Sequence, residues 1–131
     1  MRKVVVVDES HTQVALYERS VSALNVGLTS FHSPDDAFVF LRANGADLLF
    51  LDLAMTGHDG LSWLRELREI PLHTETPVVV VTTKDYAQDR VLAKDLGAVD
   101  YLVKPLRSQE IREIICAYSD VQSKDNGSEP P

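Results

Sequence analysis

The sequence predicts a doubly wound α/β domain, built as a five-stranded parallel sheet in the order 2-1-3-4-5 with five helices. Short unbroken apolar runs alternate along the chain with segments of helical period, which is typical of a parallel sheet covered by helices on both faces. The length of 131 residues, with 44% hydrophobic and 25% charged residues, suits one globular domain. We place that domain at residues 1–118 and interpret residues 119–131 as a disordered tail or a truncated linker.

The first strand is predicted at residues 4–7, which are four consecutive valines. Residues 10–13 then have the spacing of a capping box, in which Ser10 caps a helix and Gln13 reaches back to it. Apolar residues at three- and four-residue intervals continue that first helix from Val14. A second strand is predicted at residues 26–31.

The second helix is predicted from Ser33 as the N-cap and Pro34 in the first turn, and it ends at Asn44 and Gly45. The third strand covers residues 48–52. The leucines at positions 61, 64 and 67 predict a third helix, which must end before the proline at position 71.

The fourth strand is predicted at residues 78–81, and Asp85 is the predicted cap of a helix that runs to Leu96. Gly97 supplies the left-handed residue that ends this helix. The fifth strand covers residues 101–103. Apolar residues at i, i+3, i+4 and i+7 from Ile111 predict the fifth helix.

Composition and charge exclude several classes of protein. The formal net charge of −7 argues against a nucleic-acid-binding surface. The apolar runs are far shorter than the roughly 20 residues that span a bilayer, and no signal peptide begins the chain. Cys116 has no second cysteine to pair with, which fits a reducing compartment. We therefore expect a cytoplasmic protein without direct nucleic-acid or membrane contact.

Polar side chains follow four of the predicted strands. The first strand ends in Asp8 and Glu9, the third in Asp52, the fourth in Thr82, and the fifth in Lys104. Because neighbouring strands lie about 4.8 Å apart, these side chains should converge within roughly 10 Å at one edge of the sheet. A single polar residue at the end of a strand is commonly just exposed to solvent. Because four strands end in polar residues at the same edge of the sheet, we predict one pocket.

The residue types in this pocket favour phosphoryl chemistry. Clustered carboxylates repel one another unless a cation lies among them, and oxygen ligands in a small acidic cup suit Mg²⁺. A phosphoryl group is the expected guest, because Mg²⁺, Lys104 and the hydroxyl of Thr82 would neutralise its oxygens while a carboxylate acts as the nucleophile. The sequence holds no phosphate loop of the G-x-x-x-x-G-K-[ST] type. We interpret His11 and His58 as solvent-exposed, since they match no zinc signature, and Trp63 as a packing residue or a surface contact.

Over about residues 3–118 the chain resembles the receiver domain of two-component response regulators, with a flavodoxin-like fold similar to that of the chemotaxis regulators. The motifs that carry the resemblance are the acidic pair Asp8-Glu9, the D-x-x-M-x-x-x-D-G-L run from Asp52 through Met55, Asp59 and Gly60 to Leu61, the threonine Thr82, and Tyr101 with Lys104-Pro105.

The resemblance implies a chemical role for each of these residues. Asp52 would accept a phosphoryl group from a phosphohistidine on a sensor histidine kinase or a phosphotransfer protein. The Mg²⁺ would be held by Asp8, Glu9, Asp52 and the backbone carbonyl of Ala54. Lys104 would pair with the phosphate, and its bond to the following proline is expected to be cis. The chain would thus catalyse its own phosphorylation and dephosphorylation, although its main role is that of a signalling switch.

The resemblance also implies an output. Thr82 would move toward the phosphoryl oxygens and Tyr101 would turn inward, which alters the face built by helix four, strand five and helix five. An output domain, a protein partner or a second copy of the domain would bind this face.

Two positions depart from the commonest form of the family pattern, and they keep alternatives open. Glu9 stands where a second aspartate is usual, and Thr56 stands where proline is common. Both favour a pseudo-receiver, a binding module that signals by protein contact without phosphorylation, whereas Asp52 and Lys104 favour phosphoryl transfer. A Mg²⁺-dependent phosphatase ranks last, because Ala54 stands where its second acid is needed.

Overall fold

The computed structural model describes residues 1–119 as alternating strands and helices around one parallel sheet in the order β2-β1-β3-β4-β5. The strands are β1 (Arg2–Val7), β2 (Val26–Phe31), β3 (Leu48–Asp52), β4 (Val78–Thr82) and β5 (Ala98–Val103). The helices are α1 (His11–Val21), α2 (Pro34–Ala43), α3 (Gly60–Arg68), α4 (Ala87–Asp95) and α5 (Ser108–Ser119). The predicted fold class, strand order and five helices are therefore confirmed. Residues 120–131, most of the predicted tail, lie outside the described residues.

The sheet is covered on both faces, which explains its unbroken apolar strands. Successive side chains of β1 point to opposite faces, so Val4 and Val6 pack with α1 and α5. Val5 and Val7 pack on the other face with α2, α3 and α4. Each such buried aliphatic side chain stabilises the fold by about 1.5–3 kcal/mol. Among the described helices, none is long and apolar enough to cross a bilayer.

The start of α1 differs from the prediction in one bond. The hydroxyl of Ser10 accepts the N–H of Gln13 at 3.2 Å, as expected for the N-cap. The N–H of Ser10, however, donates to Oδ1 of Asp8 at 2.9 Å and not to the side chain of Gln13. A charged carboxylate two residues away is the stronger and nearer acceptor, so the reciprocal half of the capping box does not form.

The start of α4 was predicted wrongly. The N-cap is Tyr86, which makes no side-chain capping bond, and Asp85 lies outside the helix. The carboxylate of Asp85 instead pairs with the guanidinium of Arg90, and this hydrogen bond lowers the pKa of Asp85. The end of the helix is as predicted, because Gly97 adopts the left-handed conformation with φ 83°.

Two further elements differ from the prediction. Strand β5 begins at Ala98, three residues earlier than predicted, because its backbone pairs with β4 from Val78 onward although Asp100 interrupts the apolar run. A 3-10 turn, Pro71–His73, lies between α3 and β4 and was not predicted. The fixed φ angle of Pro71 suits the first residue of this turn. The leucine spacing that predicts α3 stops at Leu67 and gives no sign of the turn.

Two polar side chains hold the segment between α3 and β4 in place. His73 is fully buried, and its Nε2 lies 2.8 Å and 3.0 Å from the carbonyl oxygens of Leu41 and Asn44. Because carbonyls only accept, Nε2 carries the proton, and Nδ1 lies 2.8 Å from the hydroxyl of Thr76. The guanidinium of Arg68 donates to four carbonyl oxygens, those of His73, Thr76, Leu96 and Gly97. These bonds tie α3 to the turns that precede β4 and β5.

Candidate functional site

Three of the predicted site residues meet at the carboxyl ends of the strands. The ammonium Nζ of Lys104 lies 2.9 Å from Oδ2 of Asp8 and 3.2 Å from Oδ2 of Asp52. Asp8 and Asp52 are buried, with only 1% and 6% of their surfaces exposed. Since β1 and β3 are adjacent strands, their ends place the two carboxylates side by side, and the loop after β5 brings Lys104 across them. The Lys104–Pro105 peptide bond is cis, as predicted.

The charges of this cluster depend on one another. Burial raises the pKa of Asp8, and the neighbouring charge of Asp52 raises it further, while the N–H of Ser10 and Lys104 act in the opposite direction. For Lys104, burial alone would lower the pKa, but the two carboxylates outweigh burial and the pKa is raised. The lysine therefore stays charged, and it is the cation that lets two carboxylates lie together in a buried site.

The two carboxylates also have the chemistry to hold a divalent cation. Oδ2 of Asp8 is buried, and the Lys104 ammonium lies 2.9 Å from it. Oδ1 of Asp52 accepts the N–H of Ala54 at 3.0 Å, which fixes the start of the exposed loop after β3. Two carboxylates and a backbone carbonyl are hard oxygen donors of the kind that Mg²⁺ uses alongside water. The residues present therefore fit a divalent cation of this type.

Glu9 does not lie with the other two acids. It is exposed, and its carboxylate oxygens accept the N–H of Thr56 at 3.1 Å and 3.2 Å and the hydroxyl of Thr56 at 2.9 Å. Across residues 1–119, no three Asp, Glu, His or Cys side chains are clustered as metal ligands. The carboxylate of Glu9 is therefore held by Thr56 and is not clustered with Asp8 and Asp52.

The Asp59-Gly60 pair shapes the loop that follows Asp52. Oδ1 of Asp59 accepts the N–H of Leu61 at 3.1 Å and caps α3. Gly60 packs against the backbone of Leu53, where a Cβ atom would lie 2.6 Å from the Cα of Leu53. Only glycine fits this approach, so the motif fixes how the loop returns from Asp52 to α3.

The two predicted switch residues are connected through Lys84. The hydroxyl of Thr82, which is buried, accepts the N–H of Lys84 at 3.1 Å. The hydroxyl of Tyr101 donates to the carbonyl oxygen of Lys84 at 3.3 Å, and the guanidinium of Arg90 lies 4.6 Å from the centre of the Tyr101 ring. This link could not be predicted from the sequence, because Lys84 contributes backbone groups only.

The histidines and Trp63 do not form a metal site in the part of the chain that the structure describes. His11 and His58 are exposed, as predicted, and Trp63 is buried with its Nε1 donating to the carbonyl of Pro34 at 3.0 Å. The sequence analysis did not predict a contact of His32, whose Nδ1 lies 3.2 Å from the carbonyl oxygen of Asp8 and whose ring centre lies 4.0 Å from that of His11. Its position directly after β2, beside the end of β1, is the signal that could have revealed it.

Residues 4–116 match the family model of the response regulator receiver domain. The match covers most of the chain and includes the acidic pair, Asp52, Thr82 and Lys104. This protein therefore belongs to the response regulator receiver domain family, and it is a receiver domain of two-component signalling.

Individual relatives agree with this assignment. The chain is 33% identical over 111 residues to the cyclic di-GMP phosphodiesterase response regulator RpfG of Xanthomonas campestris pv. campestris (strain 8004), a match that covers 83% of this chain but only 29% of that protein. The structure of the present chain is similar to that of a response regulator from Thermotoga maritima, with 27% sequence identity and a TM-score of 0.80. The match covers 92% of this chain and 98% of the Thermotoga chain.

A second solved structure connects the fold to a metal. The Mn(2+)-bound form of response regulator Rcp1 is 22% identical and has a TM-score of 0.80, with coverage of 92% of this chain and 96% of that one. At this identity the likeness shows the shared fold. It also shows that a protein with this fold binds a divalent metal.

Proposed function

We propose that this chain is a phospho-accepting receiver domain in which Asp52 takes a phosphoryl group from a phosphohistidine on a sensor histidine kinase or a phosphotransfer protein. The observation that carries the proposal is the contact of the Lys104 ammonium with both Asp8 and Asp52 at the buried strand ends. A nucleophilic carboxylate beside a fixed cation suits phosphoryl transfer, because the transferred group is strongly negative.

The transfer forms a bond between phosphorus and a carboxylate oxygen of Asp52 as the bond to the imidazole nitrogen of the donor breaks. Lys104 lies within 3.2 Å of Asp52 and balances the charge of the incoming oxygens. The hydroxyl of Thr82 accepts from Lys84, so its own hydrogen remains available to donate to a phosphoryl oxygen. The departing imidazole retains its electron pair and takes up a proton from solvent.

A bound Mg²⁺ would supply further charge neutralisation at this site. Asp8, Asp52 and the backbone carbonyl of Ala54 would hold it, and Glu9 would join them after leaving Thr56. In such a site, Oδ2 of Asp8 would share its charge between the cation and the Lys104 ammonium, which lies 2.9 Å away.

The output follows from the link between Thr82 and Tyr101. A phosphoryl group adds roughly −1.5 to −2 charges, enough to draw the hydroxyl of Thr82 and to disturb the Lys84 segment that also holds Tyr101. We place the altered surface on α4, β5 and α5. Large exposed apolar side chains on or beside these elements would serve an output domain, a protein partner or a second copy of this chain: Tyr86, Val91, Leu92, Val99, Val103 and Tyr118.

The second candidate is the pseudo-receiver, which the engagement of Glu9 by Thr56 favours because it draws one acid away from the site. Intact-mass spectrometry of the protein incubated with acetyl phosphate and Mg²⁺ separates the two. A phosphorylated receiver gains one phosphoryl group, and it loses the gain when Mg²⁺ is chelated. A folded, metal-loaded chain that stays unmodified with acetyl phosphate and with a phosphohistidine donor is a pseudo-receiver.

A further inference from the structure

The contact between Glu9 and Thr56 joins the two loops that carry the acids of the site. The loop after β1 contributes Glu9, and the loop after β3 contributes Thr56, 47 positions further along the chain. Both oxygens of the Glu9 carboxylate are engaged, by the Thr56 N–H at 3.1 Å and 3.2 Å and by its hydroxyl at 2.9 Å. A charged acceptor with a backbone and a side-chain donor forms a specific contact even though both residues are exposed.

The contact depends on the two residues that depart from the resembled pattern. Proline at position 56 would offer neither an N–H nor a hydroxyl, so it has nothing to donate. Aspartate at position 9 would be one methylene shorter and would bring its carboxylate less far across the loop. Glu9 and Thr56 are thus both needed for this contact between the two loops.

This contact competes with the metal site. Within residues 1–119, Glu9 does not cluster with Asp8 and Asp52, and its carboxylate is held by Thr56 instead. We propose that Thr56 is a positioning residue that holds Glu9 off the cation site and thereby lowers the affinity of the domain for divalent metal. The inference rests on the proposed function insofar as that function places a cation between these acids.

The direction of the change in Mg²⁺ affinity on replacing Thr56 distinguishes a positioning role of this residue from a purely structural one. Thr56→Val keeps the shape and the N–H but removes the hydroxyl donor, so Glu9 is released more easily and Mg²⁺ should bind about 3- to 10-fold more tightly, the range expected for one net hydrogen bond. Thr56→Ser keeps both donors and should bind Mg²⁺ as the wild type does. A residue that merely ordered the loop would weaken binding when replaced.

The experiment is a calorimetric titration of the unphosphorylated full chain with Mg²⁺ for the wild type, Thr56→Val and Thr56→Ser. The same Thr56→Val change is then made in a Glu9→Ala background, where it should no longer alter the affinity because the carboxylate is absent. Amide exchange of Thr56 provides an independent readout, since Mg²⁺ should speed the exchange of its N–H in the wild type by freeing it from Glu9.

The possible results separate the inference from the function on which it rests. Tighter binding by Thr56→Val that disappears without Glu9 supports the inference. Unchanged or weaker binding by Thr56→Val, or a gain that persists in Glu9→Ala, overturns it while the metal site stands. A wild type that binds no Mg²⁺ overturns both the metal-dependent function and the inference.

Discussion

The hydroxyl of Tyr101 donates a hydrogen bond to the carbonyl oxygen of Lys84, and the two groups lie 3.3 Å apart. The N–H of the same lysine donates to the hydroxyl of Thr82. Thr82 ends β4 at the edge of the acidic site, whereas Tyr101 lies on β5 at the proposed output face. The backbone of one residue therefore connects the site to the surface that a partner would read.

The first prediction concerns this connection. Beryllofluoride, a phosphoryl mimic, should shift the NMR signals of Lys84, Tyr101 and α4 as well as those of the loops around Asp8 and Asp52, because it draws the hydroxyl of Thr82 to which the Lys84 N–H donates. In Tyr101→Phe, which keeps the ring but lacks the donor, the shifts should still reach Lys84 but diminish on β5. Shifts confined to the two acidic loops, with α4 and Tyr101 silent, would contradict the proposed output.

The second prediction concerns Asp8 and pH. Burial raises the pKa of Asp8 in the folded state above its usual value of 3.8, so the folded protein binds this proton more tightly than the unfolded chain. The tighter binding of this proton contributes to the free energy of unfolding fully below pH 3.8. That contribution is lost as the pH rises through the pKa that Asp8 has in the folded protein. Asp8→Asn should therefore raise the free energy of unfolding at pH 7.

Urea denaturation in the presence of a chelator measures this effect at pH 7 and near pH 4. The advantage of Asp8→Asn over the wild type should shrink toward the lower pH, where the wild-type carboxyl is also protonated. An Asp8→Asn protein that is less stable than the wild type at pH 7 would show that the ion pair with Lys104 outweighs burial.

The third prediction concerns Lys104. Lys104→Met should lower the free energy of unfolding at pH 7 by about 3–5 kcal/mol, because it leaves two buried carboxylates without their cation. It should also slow phosphorylation by acetyl phosphate. Lys104→Arg is the matched control that keeps the charge, and it should retain most of the stability. Wild-type stability and phosphorylation rate in Lys104→Met would remove Lys104 from the proposed role.

The fourth prediction concerns the buried His73. His73→Ala should cost about 2–4 kcal/mol in the free energy of unfolding, since it opens a cavity and leaves the carbonyls of Leu41 and Asn44 unpaired. His11→Ala is the control, because His11 is exposed and its removal should change stability by less than about 0.5 kcal/mol. Equal stabilities of the two variants in thermal denaturation would show that the His73 bonds contribute little.

The strands and most helix ends could be predicted from the sequence, because local patterns of residues determine them. Apolar runs such as residues 4–7 locate strands, and Ser33 and Gly97 mark helix ends, because the relevant bonds form within a few residues. Asp85 was misread because Arg90 competes for its carboxylate. The long-range contact of Glu9 with Thr56 leaves no local pattern at all, so only the structure could reveal it.

For the site, too, some features could be predicted from the sequence and others could not. The convergence of Asp8, Asp52 and Lys104 follows from strand order, since parallel strands bring their carboxyl ends to one edge of the sheet. The direction of each side chain does not follow from strand order. Glu9 adjoins Asp8 in sequence, yet it points to a different loop.

The most direct test of the central claim locates the phosphoryl group by peptide mass spectrometry after treatment with acetyl phosphate and Mg²⁺. The modification should lie on Asp52, disappear in Asp52→Asn, and persist in Asp59→Asn, a control in the same loop that keeps an acceptor to cap α3. A modification that survives in Asp52→Asn, or that never forms on the folded and metal-loaded wild type, would contradict the assignment of Asp52 as the phospho-acceptor.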